Sequence, residues 1–393
     1  MLLERLTLDH YRNYRRLEAR FGQGVIVLQG SNAQGKTNLL EAIYLLATTK
    51  SQRTRSDADL ITWGAPDPFA PTPFARITAR VDRAKGPVDL DIVIQDGGDG
   101  TTPFSGGAPG TGGTARKRFK VNGVPRRAGE VLGQVNAVLF APTDIDIVAG
   151  SPALRRRYLD VILCQVHPSY YRALQGYTKT LAQRNSLLRG IRDRVQPPET
   201  LGYWDGRLVE YGTTIVAQRA EAVAYLATAA TEMYGRVSGG REELRLTYLS
   251  SVPLEGGAAA GVRGAFDAEL AAQRGRELGA AVSLVGPHRD DLRLTTGGVD
   301  ATVFGSRGQQ RSVALALKLA ELAYLHREAG EWPILLLDDA TSELDAPRRA
   351  AVLELTRAHP QVFLTTAEPH HLDGLFADPP QVWQVEGGLL IAP

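Results

Sequence analysis

The 393-residue chain has one cysteine, Cys164, and only two methionines. A single cysteine excludes a disulfide framework and a cysteine-based zinc site, and such sparing use suits a reducing cytosol. Long apolar runs are missing too: none approaches the roughly 20 residues a helix needs to span a bilayer. The opening M-L-L-E-R-L-T-L-D-H alternates like a strand and lacks the apolar core of a secretory signal. Nor is there a surplus of one charge. A net charge of +2 gives no global cationic field, so any surface for nucleic acid must be local. No solenoid-type repeat is visible. The expectation is a cytoplasmic protein without a membrane partner, whose 43% hydrophobic content suffices for two or three lobes.

What is present begins with strand texture at 2–8 and a fully apolar strand, V-I-V-L-Q, at 25–29. G-S-N-A-Q-G-K-T-N comes next, then L-L-E-A-I-Y-L-L-A with helical spacing. Residues 75–81 and 88–94 suggest a hairpin, continued by R-F-K-V-N-G at 118–123. Proline-rich 66–74 and glycine-rich 95–115 read as surface loops. From Ser151 the texture changes: S-P-A-L-R-R-R-Y-L-D offers a cap residue and proline at the first helical position. Helical patterns run to about 235 with a break at 195–200. Residues 242–250 return to strand texture, and 266–278 read as a helix. Buried strands follow at 333–339 and 361–366. The class is α/β with an inserted helical lobe, in three segments: 1–150, 151–275 and 276–393.

The chemistry concentrates in a few places. Gly30, Ser31, Asn32, Ala33, Gln34, Gly35, Lys36 and Thr37 match G-x-x-x-x-G-K-[ST] between a strand and a helix, the context of a phosphate-binding loop. Glycines let successive N–H groups face the β-phosphate. Lys36 is placed to reach the β- and γ-phosphates and Thr37 to give a hydroxyl to Mg²⁺, with Asn38 as a further polar contact. Asp338, at the end of L-L-L-D-D, can supply the metal's carboxylate; its plainer reading is a helix cap. Asp339 points elsewhere because strand side chains alternate. It can orient a water that attacks the γ-phosphate, or be a solvated turn residue. Ser306, Arg307, Gly308, Gln309 and Gln310 precede a helix, where backbone donors and dipole suit an anion. S-E-L-D, Ser342 to Asp345, follows the acidic pair.

Together these motifs resemble an ABC-type P-loop ATPase head. That resemblance implies that Ser306 and Gly308 act in trans, on ATP held by the loop of a second subunit, and that Ser342 and Asp345 form the D-loop. The helical insert is longer than in transporter ATPases and is not a long coiled coil. In this it resembles the RecF family of SMC-like proteins. L-D-H-Y-R-N-Y at 8–14, K-S-Q-R-T-R-S-D-A-D-L-I at 50–61 and the stretch 142–160 are similar to that family's elements, as are G-P-H-R-D-D-L at 286–292 and 335–345. The resemblance implies an ATP-dependent homodimer that clamps duplex DNA at single-strand gaps and works with RecR and RecO in recombinase loading. It also implies ATP and Mg²⁺ as cofactors and a weak, DNA-stimulated hydrolysis; Asp339, shorter than the commoner glutamate, suggests slow turnover. An ABC transporter motor subunit is the alternative, and a P-loop small-molecule kinase a further rival.

The match departs from the family at Thr143, where an acid is usual, and after 361–366, where Thr365 and Thr366 precede no switch histidine. Other residues keep two readings. Arg12 and Asn13 can approach the nucleotide or form a surface turn. Arg53 and Arg55 can meet phosphate or solvent. His288, Arg289 and Asp290 can be catalytic or a satisfied structural network. Arg155, Arg156 and Arg157 can touch DNA or pair within a helix face.

Overall fold

A computed structural model of the chain describes every residue except 55, 63–72, 97–114, 241, 255–258, 340–348, 350, 351, 353, 355, 357, 358, 368–375, 377, 378 and 393. The chain forms two compact units, Met1–Pro142 with Leu325–Pro393, and Thr143–Tyr324. The first begins with β1 (Leu2–Tyr11), β2 (Tyr14–Arg20), β3 (Gly24–Gln29) and α1 (Lys36–Thr48). It continues with β4 (Phe74–Asp82), β5 (Val88–Gln95), β6 (Arg116–Val121), β7 (Val124–Arg126), α2 (Ala128–Val131) and β8 (Ala137–Phe140). Then come α3 (Ile145–Ala149), α4 (Pro152–Val166), α5 (Pro168–Arg192), α6 (Leu201–Ser238) and β9 (Leu244–Leu249). After α7 (Ala259–Ala280), β10 (Asp291–Thr296), β11 (Val299–Asp300) and α8 (Arg307–Ala329), the chain closes with β12 (Ile334–Leu337), β13 (Gln361–Thr366), β14 (Gln381–Glu386) and β15 (Leu389–Ile391).

The first unit contains two six-stranded sheets. One is antiparallel in the order β2-β1-β4-β5-β6-β7; the other runs β15-β14-β3-β13-β12-β8 with a parallel core. The hairpin expected from 75–94 is there, and β6 extends it. β1 buries Leu3, Leu6 and Leu8, which strict alternation would not put on one face. A register shift between Leu3 and Arg5 against β4 reconciles them. Ile26, Val27 and Leu28 are consecutive and buried, as a parallel strand covered on both faces requires. Gln361, 1% exposed, links the sheets: it accepts the Leu3 N–H at 2.8 Å and donates to the carbonyls of Leu3 and Gly22. Parallel pairing puts the C-terminal ends of β3, β12 and β13 along one edge, where open parallel sheets collect ligands.

The second unit carries the helices and a three-stranded sheet, β11-β10-β9. It extends beyond the expected 151–275 because β9 pairs with β10 from Asp291↔Leu249 to Thr296↔Leu244, binding the later segment to the helices. The break at His167–Pro168, between α4 and α5, escaped the sequence reading although proline starts the new helix. Two buried arginines join the elements. Arg184 of α5 reaches Asp205 of α6 at 2.8 Å, Glu277 of α7 at 2.5 Å and Ser283 at 2.7 Å. Arg219 of α6 donates to Asp160, to the Tyr170 hydroxyl and to the Pro287 carbonyl. Among the described residues, no helix is long and apolar enough to cross a membrane.

Arg184 and Glu277 are both fully buried. Removing one partner of such a pair leaves an uncompensated charge, whereas removing both leaves an apolar contact. Arg184→Met should therefore lower stability by about 3–5 kcal/mol, read as a shift in the urea midpoint by circular dichroism. Arg184→Met combined with Glu277→Leu should recover part of that loss, the remainder reflecting the Leu284 N–H that Glu277 accepts at 2.7 Å; equal losses in the single and double variants would show that the uncompensated Glu277 charge is not the cause.

Candidate functional site

The loop after β3 has little room. A Cβ on Gly30 would lie 2.2 Å from the Val385 carbonyl oxygen, and one on Gly35 would lie 2.6 Å from Asn13 Nδ2. Gly35 also has φ +119, a conformation that penalises any side chain. The motif's two glycines are thus demanded by neighbouring backbone and by φ. α1 starts directly after Gly35 with no capping side chain and no acidic residue in its first turn. Its leading N–H groups and the positive end of its dipole are left for an anion. Ser31, Asn32 and Ala33 are exposed at the rim.

Lys36 is buried and folds back on its own loop, donating to the carbonyls of Gly30 at 2.5 Å and Ser31 at 2.9 Å. Burial pushes its ammonium pKa below the ordinary lysine value, although Asp339 and Asp338 pull it up. Thr37 donates to Asp338 Oδ1 at 2.9 Å, and Thr365, at the end of β13, donates to the same oxygen at 3.0 Å. Burial raises the Asp338 pKa, and these two hydroxyls oppose the shift. Asp339 adopts φ 49, a left-handed conformation rare outside glycine, and its N–H donates to Thr365 Oγ1 at 2.8 Å. Strand ends therefore bring Lys36, Thr37, Asp338 and Asp339 into one edge, as their spacing in sequence suggests. No group of three or more histidine, cysteine, aspartate or glutamate residues able to hold a metal occurs among the described residues. Thr37 with Asp338 suits an ion that keeps water and phosphate oxygens in its shell, such as Mg²⁺.

Residues not singled out in the motif hold it in shape. Asn13 Nδ2 donates to the Gln34 carbonyl at 2.8 Å, the Tyr14 hydroxyl to the Gly35 carbonyl at 3.0 Å, and the Gly388 N–H to the Gln34 carbonyl at 3.2 Å. Asn38 donates to Asn13 Oδ1 and accepts from Arg53 Nη1, each at 2.8 Å. Arg12 does not face the loop: it makes a bidentate pair, 2.9 Å to each oxygen, with Glu41 of α1, which is 2% exposed. Glu41 and the Gly387–Gly388 turn escaped the sequence reading. The first sits inside an apolar helix, and only the glycine pair carried a local signal.

In the second unit, Ser306 precedes α8. Its N–H donates to Gln309 Oε1 at 2.9 Å, and its hydroxyl accepts the Gln309 N–H at 3.2 Å, the reciprocal pattern of a capping box. Gln309 also donates to Glu242, and buried Gln310 donates to the Ala301 carbonyl at 3.1 Å. Ser306 and Arg307 are exposed. Gly308 is the next residue of α8, one turn before Ser312, whose hydroxyl donates to its carbonyl. Ser342, Asp345 and Arg55 lie outside the described residues.

The arginine run at 155–157 is largely occupied within its unit: Arg155 pairs with Asp291 at 2.7 and 2.9 Å and Arg156 donates to the Asp290 carbonyl. Asp290, 1% exposed, accepts from Tyr248 and Ser251 and lies 3.7 Å from Arg219. His288 lies 3.1 Å from the Ser283 carbonyl through Nε2, so that nitrogen donates; Nδ1 then accepts from the Tyr177 hydroxyl at 2.7 Å. These contacts describe a satisfied network.

Comparison with known proteins follows the same lines. The family model for the RecF/RecN/SMC N terminal domain matches residues 2–377. The DNA replication and repair protein RecF of Chloroflexus aggregans is 43% identical over 403 residues, covering 100% of both chains. RecF of Roseiflexus castenholzii is 41% identical over 402 residues, covering 99% of each. A solved structure of the recombination mediator protein RecF with ATPrS, in the RecFOR pathway, superposes with a TM-score of 0.85 at 30% identity, covering 100% of this chain and 98% of that one. An Smc head domain from Pyrococcus furiosus matches at a TM-score of 0.51 and 16% identity, covering 100% of this chain and 95% of that one, which speaks for the ATPase-head fold alone.

Burial lowers the His288 pKa from its ordinary 6.5 to about 4. Between those values the unfolded chain binds the proton and the folded chain does not, so stability falls as pH drops through that window, by up to about 1.4 kcal/mol per unit. His288→Gln, which keeps a donor toward Ser283, should flatten the pH dependence of the denaturation midpoint between pH 6.5 and 4 relative to the parent. Parallel profiles for the two proteins would remove His288 as the cause.

Proposed function

Since the chain belongs to the RecF family of DNA replication and repair proteins, we propose that it is an ATP-dependent DNA clamp of recombinational repair. ATP binds at Gly30–Asn38, two copies close head to head on duplex DNA beside a single-strand gap, and slow hydrolysis releases the DNA. RecO and RecR are the partners that fit this reading, with recombinase loading as the outcome. The observation that carries it is the cradle itself: an uncapped α1 N-terminus, two sterically required glycines, and Thr37 beside Asp338 at one sheet edge.

In this reading the α1 N–H groups bind the phosphates, and Lys36 leaves the Gly30 and Ser31 carbonyls to neutralise the β- and γ-phosphates. Exchanging two neutral carbonyl acceptors for charged oxygens favours the move. Thr37 and Asp338 would hold Mg²⁺, which supplies charge neutralisation between phosphates. The strained Asp339 orients the attacking water as general base. Ser306 to Gln310 belong to the other compact unit from the loop, and they act on the nucleotide of the second copy. Ser342 and Asp345 would form the D-loop of that same composite site.

Lys36→Ala should weaken ATP binding by at least an order of magnitude, as expected for loss of a charge-assisted phosphate contact, and abolish ATP-dependent dimerisation in light scattering. Parental affinity and dimerisation in this variant would rule out the loop assignment.

Ser306→Arg tests the trans role. The variant should bind ATP near-normally by fluorescent-analogue titration yet fail to dimerise or hydrolyse it. Because Ser306 also caps α8, worth about 1 kcal/mol, Ser306→Asn, which can still cap, controls for lost stability. Mixing the Ser306→Arg and Lys36→Ala proteins should restore part of the hydrolysis, since one composite site then combines an intact Lys36 with an intact Ser306. Loss of ATP binding by monomeric Ser306→Arg would instead place the residue in cis.

A further inference from the structure

Two adjacent glutamines open α8, and the fold uses them differently. Gln310 is buried and donates to the carbonyls of Ala301 at 3.1 Å and Thr302 at 3.4 Å, which ties the helix to the chain entering it. Gln309 is half-buried and engages both ends of its amide. Its Oε1 accepts the Ser306 N–H at 2.9 Å, while its Nε2 donates to both carboxylate oxygens of Glu242 at 3.0 Å. Glu242 stands two residues before β9, in a different part of the second unit, and is itself held. The Tyr234 hydroxyl of α6 donates to its Oε2 at 3.3 Å. The Gly297 N–H donates to the Glu243 carbonyl at 3.1 Å and Leu244 pairs with Thr296, so the backbone beside Glu242 is fixed against β10.

A side-chain amide can turn over, and its partners decide which end points where. An ionised carboxylate accepts hydrogen bonds and donates none. Glu242 therefore admits only the Nε2 end of Gln309, which leaves Oε1 for the Ser306 N–H. The Ser306 hydroxyl oxygen accepts the Gln309 N–H at 3.2 Å, and its proton is then available to an external acceptor. We propose that Glu242 is a positioning residue for the ATP site formed between two copies: it sets the Gln309 amide and thereby holds Ser306 in the geometry that meets the second copy's γ-phosphate. The inference rests on the trans reading of Ser306 above and deepens it.

A carboxylate in contact with an anion-binding loop is electrostatically unfavourable for that loop. If packing were its only role, a neutral amide of the same size would serve better. What the carboxylate adds is polarity: its charge-assisted bonds are stronger than neutral ones and tolerate one amide orientation only. A plain brace and a positioning residue differ in reach. Loss of a brace lowers the stability of the chain, whereas loss of positioning damages only the Ser306 side of the composite site. The phosphate-binding loop belongs to the other compact unit and is left as it was.

The test uses full-length Glu242→Ala and Glu242→Gln with Gln309→Ala and the Glu242→Ala/Gln309→Ala double variant. Glu242→Ala should bind a fluorescent ATP analogue with parental affinity and keep the parental melting temperature to within the effect of one lost surface contact. A loss of about fivefold per site, as expected for one hydrogen-bonded contact, should weaken ATP-dependent dimerisation in light scattering by about 25-fold, because the closed dimer has two such sites. Glu242→Gln, whose amide can present either end, should fall between. Gln309→Ala should match Glu242→Ala, and the double variant should lose no more than either single one, since the two residues act in series. Hydrolysis should recover in part when Glu242→Ala is mixed with Lys36→Ala, and should not when it is mixed with Ser306→Arg. Parental dimerisation in Glu242→Ala, a Glu242→Gln protein indistinguishable from the parent, additive losses in the double variant, or a fall in ATP affinity together with melting temperature each overturn the role of Glu242. Loss of ATP binding by monomeric Ser306→Arg instead overturns the trans reading, and this role with it.

Discussion

The Gln34 carbonyl accepts two hydrogen bonds, from the Asn13 side chain at 2.8 Å and from the Gly388 N–H at 3.2 Å, and the shape of the phosphate-binding loop depends on it. A loop with two glycines has no ladder of its own and would sample many conformations. Here the β1–β2 turn grips it from one side and the β14–β15 turn from the other. Each grip imposes a glycine. Gly388 has φ +82, and a Cβ there would lie 2.2 Å from the Asn13 carbonyl oxygen; the two turns touch as closely as backbones can. The ordering entropy is met by segments from opposite ends of the chain, so the nucleotide need not supply it.

The same economy governs the acidic side of the site. Asp338 follows β12, is half-buried, and is held by hydroxyls from α1 and β13. Burial disfavours its charged form, and a divalent cation would relieve that. Lys36 is in the converse position, an ammonium whose burial is offset by two carbonyls and by the acidic pair. Both groups are satisfied without ligand, yet each would gain from a charged partner. That is how a rigid site can stay folded when empty and still bind.

Much of this was legible in the sequence because its signals are local. The G-x-x-x-x-G-K-[ST] pattern, the apolar strands ending in Gln29 and Asp338, and the proline at the start of α4 each depend on neighbours in sequence. What escaped depends on distant partners. Glu41 looks like an ordinary helix residue until Arg12 folds onto it, and Asn13, a candidate for the nucleotide or a plain turn, instead donates to the loop's Gln34 carbonyl. Arg155 and His288 presented the same ambiguity: their types fit catalysis or DNA contact, and only the folded chain shows them engaged with Asp291, Tyr177 and Ser283. The extent of the helical unit was similarly hidden, since β9–β10 pairing is a long-range contact with no composition signal.

Arginine is used in two opposed ways, and the difference follows from solvation. In the second unit Arg184 and Arg219 are buried and saturated by carboxylates, hydroxyls and carbonyls; their forked donors fix the positions of several helices at once. Buried pairing of this kind adds little net stability but makes alternative packings expensive, because any misplaced helix strands a charge. On the antiparallel sheet the balance is reversed. Arg5 and Arg20 stand opposite one another and are exposed, their repulsion is screened over about 8 Å at physiological salt, and the fold tolerates them at modest cost. Charge is thus sorted by solvation: carboxylates neutralise the buried arginines of the second unit from within, while Asp91 with Arg76 and Asp89 and Glu4 with Arg80 pair only at the surface of the antiparallel sheet, where the gain is small.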